Sequence, residues 1–162
     1  MKSDVKRNLF FILSAISFLL MSATILVMPF AYENEIELKA TGTAFWLFLI
    51  LGFLFNFLSD RAQKAYQKEL PENAEKMEGR VGLLSFFSNI PASISDAVLL
   101  AGILAAFCME LFRPSLTTTY AVYVLLFFIL LSFCMHCLFN GKKFRFIRKS
   151  IHVGSGRNYA KK

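Results

Sequence analysis

The sequence predicts an all-α polytopic membrane protein, a four-transmembrane-helix bundle with both termini cytoplasmic. Three observations support this class: four long apolar runs, short charged segments between them, and cations concentrated in alternate segments. The chain has 162 residues, 56% of them apolar, and a mean hydropathy of +0.54. Four spans of about 20 to 25 residues use most of that length, so we expect a single membrane domain over residues 1–162.

Each apolar run has 20 residues or more, enough to cross a hydrocarbon core about 30 Å thick. The first run is longer than the apolar part of a cleaved signal peptide, and we expect it to be retained as a span. The predicted spans are 9–30, 40–59, 91–112 and 116–140. The remaining segments are a cytoplasmic connector over 60–80, an interfacial segment over 81–90 and a basic cytoplasmic tail over 141–162.

Orientation is predicted from the lysines and arginines, which resist translocation when they lie near the ends of spans. Sixteen of the eighteen fall before span one, between spans two and three, or after span four. Only Lys39 and Arg113 fall on the other side. Both termini and the connector are therefore expected in the cytoplasm.

Small residues recur at four-residue spacing in span three. Ala97, Ala101 and Ala105 form one row, and Gly102 with Ala106 forms a second. This spacing lets two helix backbones approach closely in lipid. We therefore predict a helix-packing surface and expect span three to be the central helix, with intramolecular packing or dimerisation both open.

Three polar side chains lie within the apolar runs: Asn56, Asp96 and Glu110. An ionisable group in a span is a functional hypothesis, here a candidate polar path for protons or cations. The alternative is local pairing, in which Asp96 interacts with the start of its helix and Glu110 pairs with Arg113. Hydroxyls such as Ser14 and Ser22 are expected to bond their own backbone or a neighbouring helix.

Cys134 and Cys137 are weak candidates for thiol chemistry, because residues three apart share a helix face. In length and span count the chain resembles the vitamin K epoxide reductase type of quinone-linked thiol oxidoreductase. Those enzymes need a second cysteine pair in an outer loop, and residues 31–39 contain none. We predict no catalytic residues, no cofactor and no metal site, with His136 an interfacial histidine.

The tail interleaves cations with Phe144, Phe146, Ile147 and Ile151. Basic residues just cytoplasmic of a span favour anionic lipid headgroups, at about 1 kcal/mol per cation, over nucleic acid. The predicted headgroup-binding residues are Lys142, Lys143, Arg145, Arg148 and Lys149.

Two strings carry a family resemblance: FFSNIPA over 86–92, with Asp96 after it, and MHCLFNGKKF over 135–144. They resemble small uncharacterised four-span bacterial membrane proteins. The resemblance implies an all-helical fold and a bacterial plasma membrane, and it implies no activity.

The preferred function is non-catalytic: an accessory, regulatory or immunity-type subunit that acts by helix–helix contact in a membrane assembly. Membrane lipids and a protein partner, or a second copy of the chain, are the expected partners. An oligomeric channel or pore is the alternative. A small-solute carrier and a thiol oxidoreductase using Cys134 and Cys137 are weaker hypotheses.

Overall fold

A computed structural model describes residues 3–69, 86–112 and 120–140 of the chain. Within these residues the secondary structure is helical, and the helices are α1 (Ser3–Ala31), α2 (Glu35–Glu69), α3 (Ile90–Phe112) and α4 (Tyr120–Phe139). All four are long and apolar enough to cross a membrane. The predicted all-helical fold with four membrane-length helices is confirmed.

The helix ends differ from the predicted spans where polar residues extend a helix. α2 begins at Glu35 and continues to Glu69, so the first part of the predicted connector is helical. Asn34 caps its start, since its Oδ1 accepts the backbone N–H of Ile36 at 3.0 Å. Hydropathy predicts which residues can lie in the lipid. The end of a helix depends instead on where its backbone hydrogen bonds end.

The four described helices lie side by side in the order α2, α1, α4, α3. α1 packs along α2 and also on α4, and α3 packs on α4, while α2 and α3 share no extensive contact. Within the residues that the structure describes, the bundle is therefore open between α2 and α3. The expectation that span three is central is wrong, because α1 and α4 are the inner pair.

The core lies between α1 and α4, where Phe18 and Met21 meet Cys134 and Leu138. α2 comes close to α1 at Gly52, whose carbonyl accepts a hydrogen bond from Ser14 Oγ at 2.8 Å. Ser22 Oγ donates to the carbonyl of Phe18 in its own helix at 2.9 Å. The two kinds of partner predicted for these hydroxyls are thus both present.

Large apolar side chains cover the outward surfaces of the helices. On α2, Trp46 and Ile50 are each 62% exposed, and on α3 Leu104 is also 62% exposed. Such a surface suits contact with lipid or with other apolar helices, which is what a membrane protein requires.

Candidate functional site

Two almost fully buried ionisable side chains meet where α3 packs on α4. Asp96 lies in the second turn of α3 and is 0% exposed, and His136 lies in the last turn of α4 and is 2% exposed. Asp96 Oδ1 contacts His136 Nδ1 directly. Buried polar groups are costly unless they are paired, so this contact satisfies a requirement of both side chains at once.

The other oxygen of Asp96 bonds the turn that precedes α3. The backbone N–H of Phe87 donates to Asp96 Oδ2 at 2.6 Å. Phe87 has a φ of 60°, in the left-handed region that a bulky residue rarely adopts. Strain of this kind persists only where the surrounding structure holds it, and the bond to Asp96 is one such restraint. Asp96 thus bonds the turn that precedes its helix, whereas the prediction placed its partner at the start of the helix, and it also reaches a second helix.

Asn89 makes a second connection between the same two helices. Its Oδ1 accepts the N–H of Ala92 at 2.9 Å and so caps α3. Its Nδ2 donates to the carbonyl of Phe139 at 2.8 Å, near the end of α4. One side chain therefore satisfies an N–H at the start of α3 and a carbonyl at the end of α4.

Phe86 and Asn140 complete the surroundings of His136. The Phe86 ring lies 5.1 Å from the imidazole, centroid to centroid, with a 30° angle between the planes. The amide Nδ2 of Asn140 lies 3.4 Å from His136 Nε2. With the amide as donor there, Nδ1 carries the imidazole proton and donates it to Asp96. The expected position of His136 at the membrane interface stays a prediction, and the structure adds that its side chain is buried and contacts a carboxylate.

The arrangement can hold a fixed imidazole tautomer and tie two helix ends together. Among the described residues, no group of three or more His, Cys, Asp or Glu side chains is placed to hold a metal ion. What the structure shows at the pair itself is a direct hydrogen-bonding contact between Asp96 and His136.

The candidate polar path is divided by the structure. Asn56 is buried, and its Nδ2 donates to the carbonyl of Cys137 at 3.5 Å, one residue beyond His136. Glu110 is exposed near the far end of α3, 14 residues from Asp96 and about 21 Å along the helix axis. Asn56 and Asp96 thus both lie beside the end of α4, whereas Glu110 is remote. The suggested partner of Glu110, Arg113, lies outside the described residues.

The small residues of α3 divide between two faces. Gly102 is buried against α4, where an added Cβ would lie 2.8 Å from Ile129 Cγ1. Ala106 is partly buried, while Ala97, Ala101 and Ala105 are exposed. One row thus contributes to packing within the chain, and the other lies on the outer surface of the outer helix.

The remaining predicted site residues are placed as follows. Cys134 is buried in the core, Cys137 is partly buried, Cys108 is exposed, and all three are free thiols. The predicted headgroup-binding residues of the tail lie outside the described part of the chain.

A family model described as "Protein of unknown function (DUF1295)" matches residues 2–145. The chain belongs to the DUF1295 family. No curated protein and no solved structure matches it. Membership in DUF1295 agrees with the resemblance to an uncharacterised family and assigns no activity. The matched region includes the four helices and every residue of the Asp96–His136 site.

Sequence reasoning about this DUF1295 chain did not pair Asp96 with His136, although two signals were available. Antiparallel neighbours place the start of one helix beside the end of the next, and Asp96 lies within two turns of Ile90 while His136 lies within one turn of Phe139. The two strings that carry the family resemblance also contain or adjoin the site residues. The missing information was that spans three and four are neighbours.

Proposed function

We propose that this chain is a plasma-membrane protein that acts by helix–helix contact, as an accessory, regulatory or immunity-type subunit of a larger assembly. It crosses the bilayer four times, with both termini in the cytoplasm. The four membrane-length helices and the concentration of sixteen cations on one predicted side support this placement. The basic tail adds contacts with anionic headgroups on the cytoplasmic side.

The observation that carries the contact function is the open position of α3. This helix packs on α4 alone to any large extent, and its outward surface carries Ala97, Ala101 and Ala105 in one row. In lipid, burying apolar area contributes little free energy to helix association. Much of the favourable free energy comes instead from close backbone approach over small residues. A partner helix, from another protein or from a second copy, fits against this row.

Site-specific photo-crosslinking in native membranes tests the proposal. A photoreactive residue at Leu104, exposed beside the alanine row, is expected to yield a discrete protein adduct. Ala101→Leu should reduce that adduct about tenfold, since overpacking a helix contact costs about 1–3 kcal/mol. The matched control is Ala121→Leu, the same change at an exposed position of α4, which should leave the adduct unchanged. Adducts to lipid alone, or equal tolerance of both changes, would contradict the contact function.

A further inference from the structure

We propose that Asp96 and His136 are positioning residues that fix the register of α3 on α4. Together with Asn89 and its bond to Phe139, they form what we call the α3–α4 latch. The latch sets the position along α4 at which α3 presents its outer residues to a partner, and only this last step rests on the proposed contact function.

Register needs a specific device here because α3 is an outer helix. Apart from the latch, the described α3–α4 contact includes apolar and small side chains such as Gly102 against Ile129. Apolar side chains that exchange contacts with each other for contacts with lipid lose little free energy. Apolar packing alone therefore selects one register only weakly. A polar pair selects it strongly, because its hydrogen bond forms at one register only.

A slip by one helical turn would move Asp96 about 5.4 Å along the axis of α4. That displacement exceeds hydrogen-bond reach, so Asp96 and His136 would both remain buried without each other. The slip would also separate Asn89 Nδ2 from the Phe139 carbonyl, now 2.8 Å apart. The latch therefore penalises a slip at two points at once.

The turn before α3 adds a third restraint through the same carboxylate. Asp96 Oδ2 accepts the Phe87 N–H at 2.6 Å and supports the left-handed backbone of Phe87. That turn also places the Phe86 ring 5.1 Å from the His136 ring. Loss of the Asp96 carboxylate thus removes a bond to α4 and a bond to the turn together.

Disulfide trapping across the α3–α4 contact measures the register. The reporter is Gly102→Cys with Ile129→Cys, in the full chain with Cys108, Cys134 and Cys137 replaced by alanine. An added Cβ at Gly102 lies 2.8 Å from Ile129 Cγ1, so these positions face each other directly. Two further reporters, Gly102→Cys with Leu125→Cys and Gly102→Cys with Phe133→Cys, detect a slip of one turn in either direction.

With the latch intact, the 102–129 reporter should crosslink and the two offset reporters should not. Asp96→Leu is close to aspartate in shape but has no polar atom. It should lower the ratio of native to offset crosslink about tenfold, which corresponds to about 1.4 kcal/mol. Asp96→Asn keeps one oxygen that can accept from His136 Nδ1 but loses the acceptor for the Phe87 N–H, so its ratio should lie between those of the parent and Asp96→Leu. A role in filling space alone predicts that leucine and asparagine are equally tolerated, and that result would overturn the proposal.

The double variant Asp96→Leu with His136→Leu keeps the test valid if the single variant Asp96→Leu does not fold. It leaves neither partner buried and unpaired, so it should fold, with a monodisperse peak in mild detergent. Its crosslinks should spread over the native and offset reporters. A double variant that folds and crosslinks only at 102–129 would refute the latch.

These measurements need no partner, so they separate the latch from the contact function. If crosslinking shifts to the offset reporters as expected and the Leu104 adduct is absent even in the parent, the latch stands and the contact function fails. If the register is unaffected while the adduct forms normally, the latch fails and the contact function stands.

Discussion

Gly52 shows how tightly single residues are constrained between α1 and α2. An added Cβ there would lie 2.5 Å from two ring atoms of Phe18, and Phe18 is 0% exposed. The ring has no free volume to move into, because interiors are packed to the density of organic crystals. Glycine at this position is therefore required by the approach of the two helices.

Gly52→Ala is expected to destabilise the protein by about 1–3 kcal/mol through overpacking. The matched control is Gly42→Ala in the same helix, where an added Cβ meets nothing within 4 Å. That change should stabilise α2 by about 0.5–1 kcal/mol, since alanine is the better helix former. Unfolding of both variants in mixed micelles checks this. Equal stabilities would mean that α1 and α2 are less closely packed than the structure shows.

At the same scale, sequence pattern identified residue types better than residue partners. The serines of α1 were correctly assigned to backbone acceptors, because a hydroxyl in an apolar helix has few other options. Asp96 was recognised as an ionisable group near a helix start, but its partner is 40 residues away. No spacing rule reaches that far without knowledge of which helices are neighbours.

At the scale of elements, α3 depends on Asn89, the residue immediately before its first turn. Asn89 has two roles, capping the N–H of Ala92 and donating to the carbonyl of Phe139. The two roles use different atoms of one amide, so they can be separated by substitution.

Asn89→Ala removes both bonds and should cost about 1–3 kcal/mol of stability, the sum of a lost cap and a lost interhelical bond. Asn89→Ser keeps an oxygen for the cap and loses the donor, so it should recover about 1 kcal/mol of that loss. Thermal unfolding in detergent distinguishes the two variants. Identical melting temperatures for serine and alanine would show that the cap contributes nothing measurable.

The existence of each helix was predictable, because a run of 20 apolar residues satisfies its backbone in lipid only as a helix. The extension of α2 to Glu69 was less predictable, because the last turns of this helix are polar. The predicted interfacial segment is described only from Phe86 onward, where the chain forms a turn followed by α3.

At the scale of the whole molecule, the order α2, α1, α4, α3 was not predictable. A row of small residues favours a central position for a helix, yet small residues are equally useful on an outer surface that can pack against a partner. The close α1–α2 contact follows from a short connection, with Asn34 N–H bonding the Ala31 carbonyl at 3.1 Å. The contact of α1 with α4 joins distant parts of the sequence, and it follows from side-chain fit that hydropathy does not encode.

The central claim is that the chain crosses the membrane four times and returns both ends to the cytoplasm. Paired reporter fusions test it most directly: green fluorescent protein, which fluoresces in the cytoplasm, and alkaline phosphatase, which is active outside it. Fusions at each terminus and within the 70–85 segment should fluoresce, and fusions at Glu33 and within 113–119 should show phosphatase activity. Opposite results at the two termini, or fluorescence from the Glu33 fusion, would contradict the account.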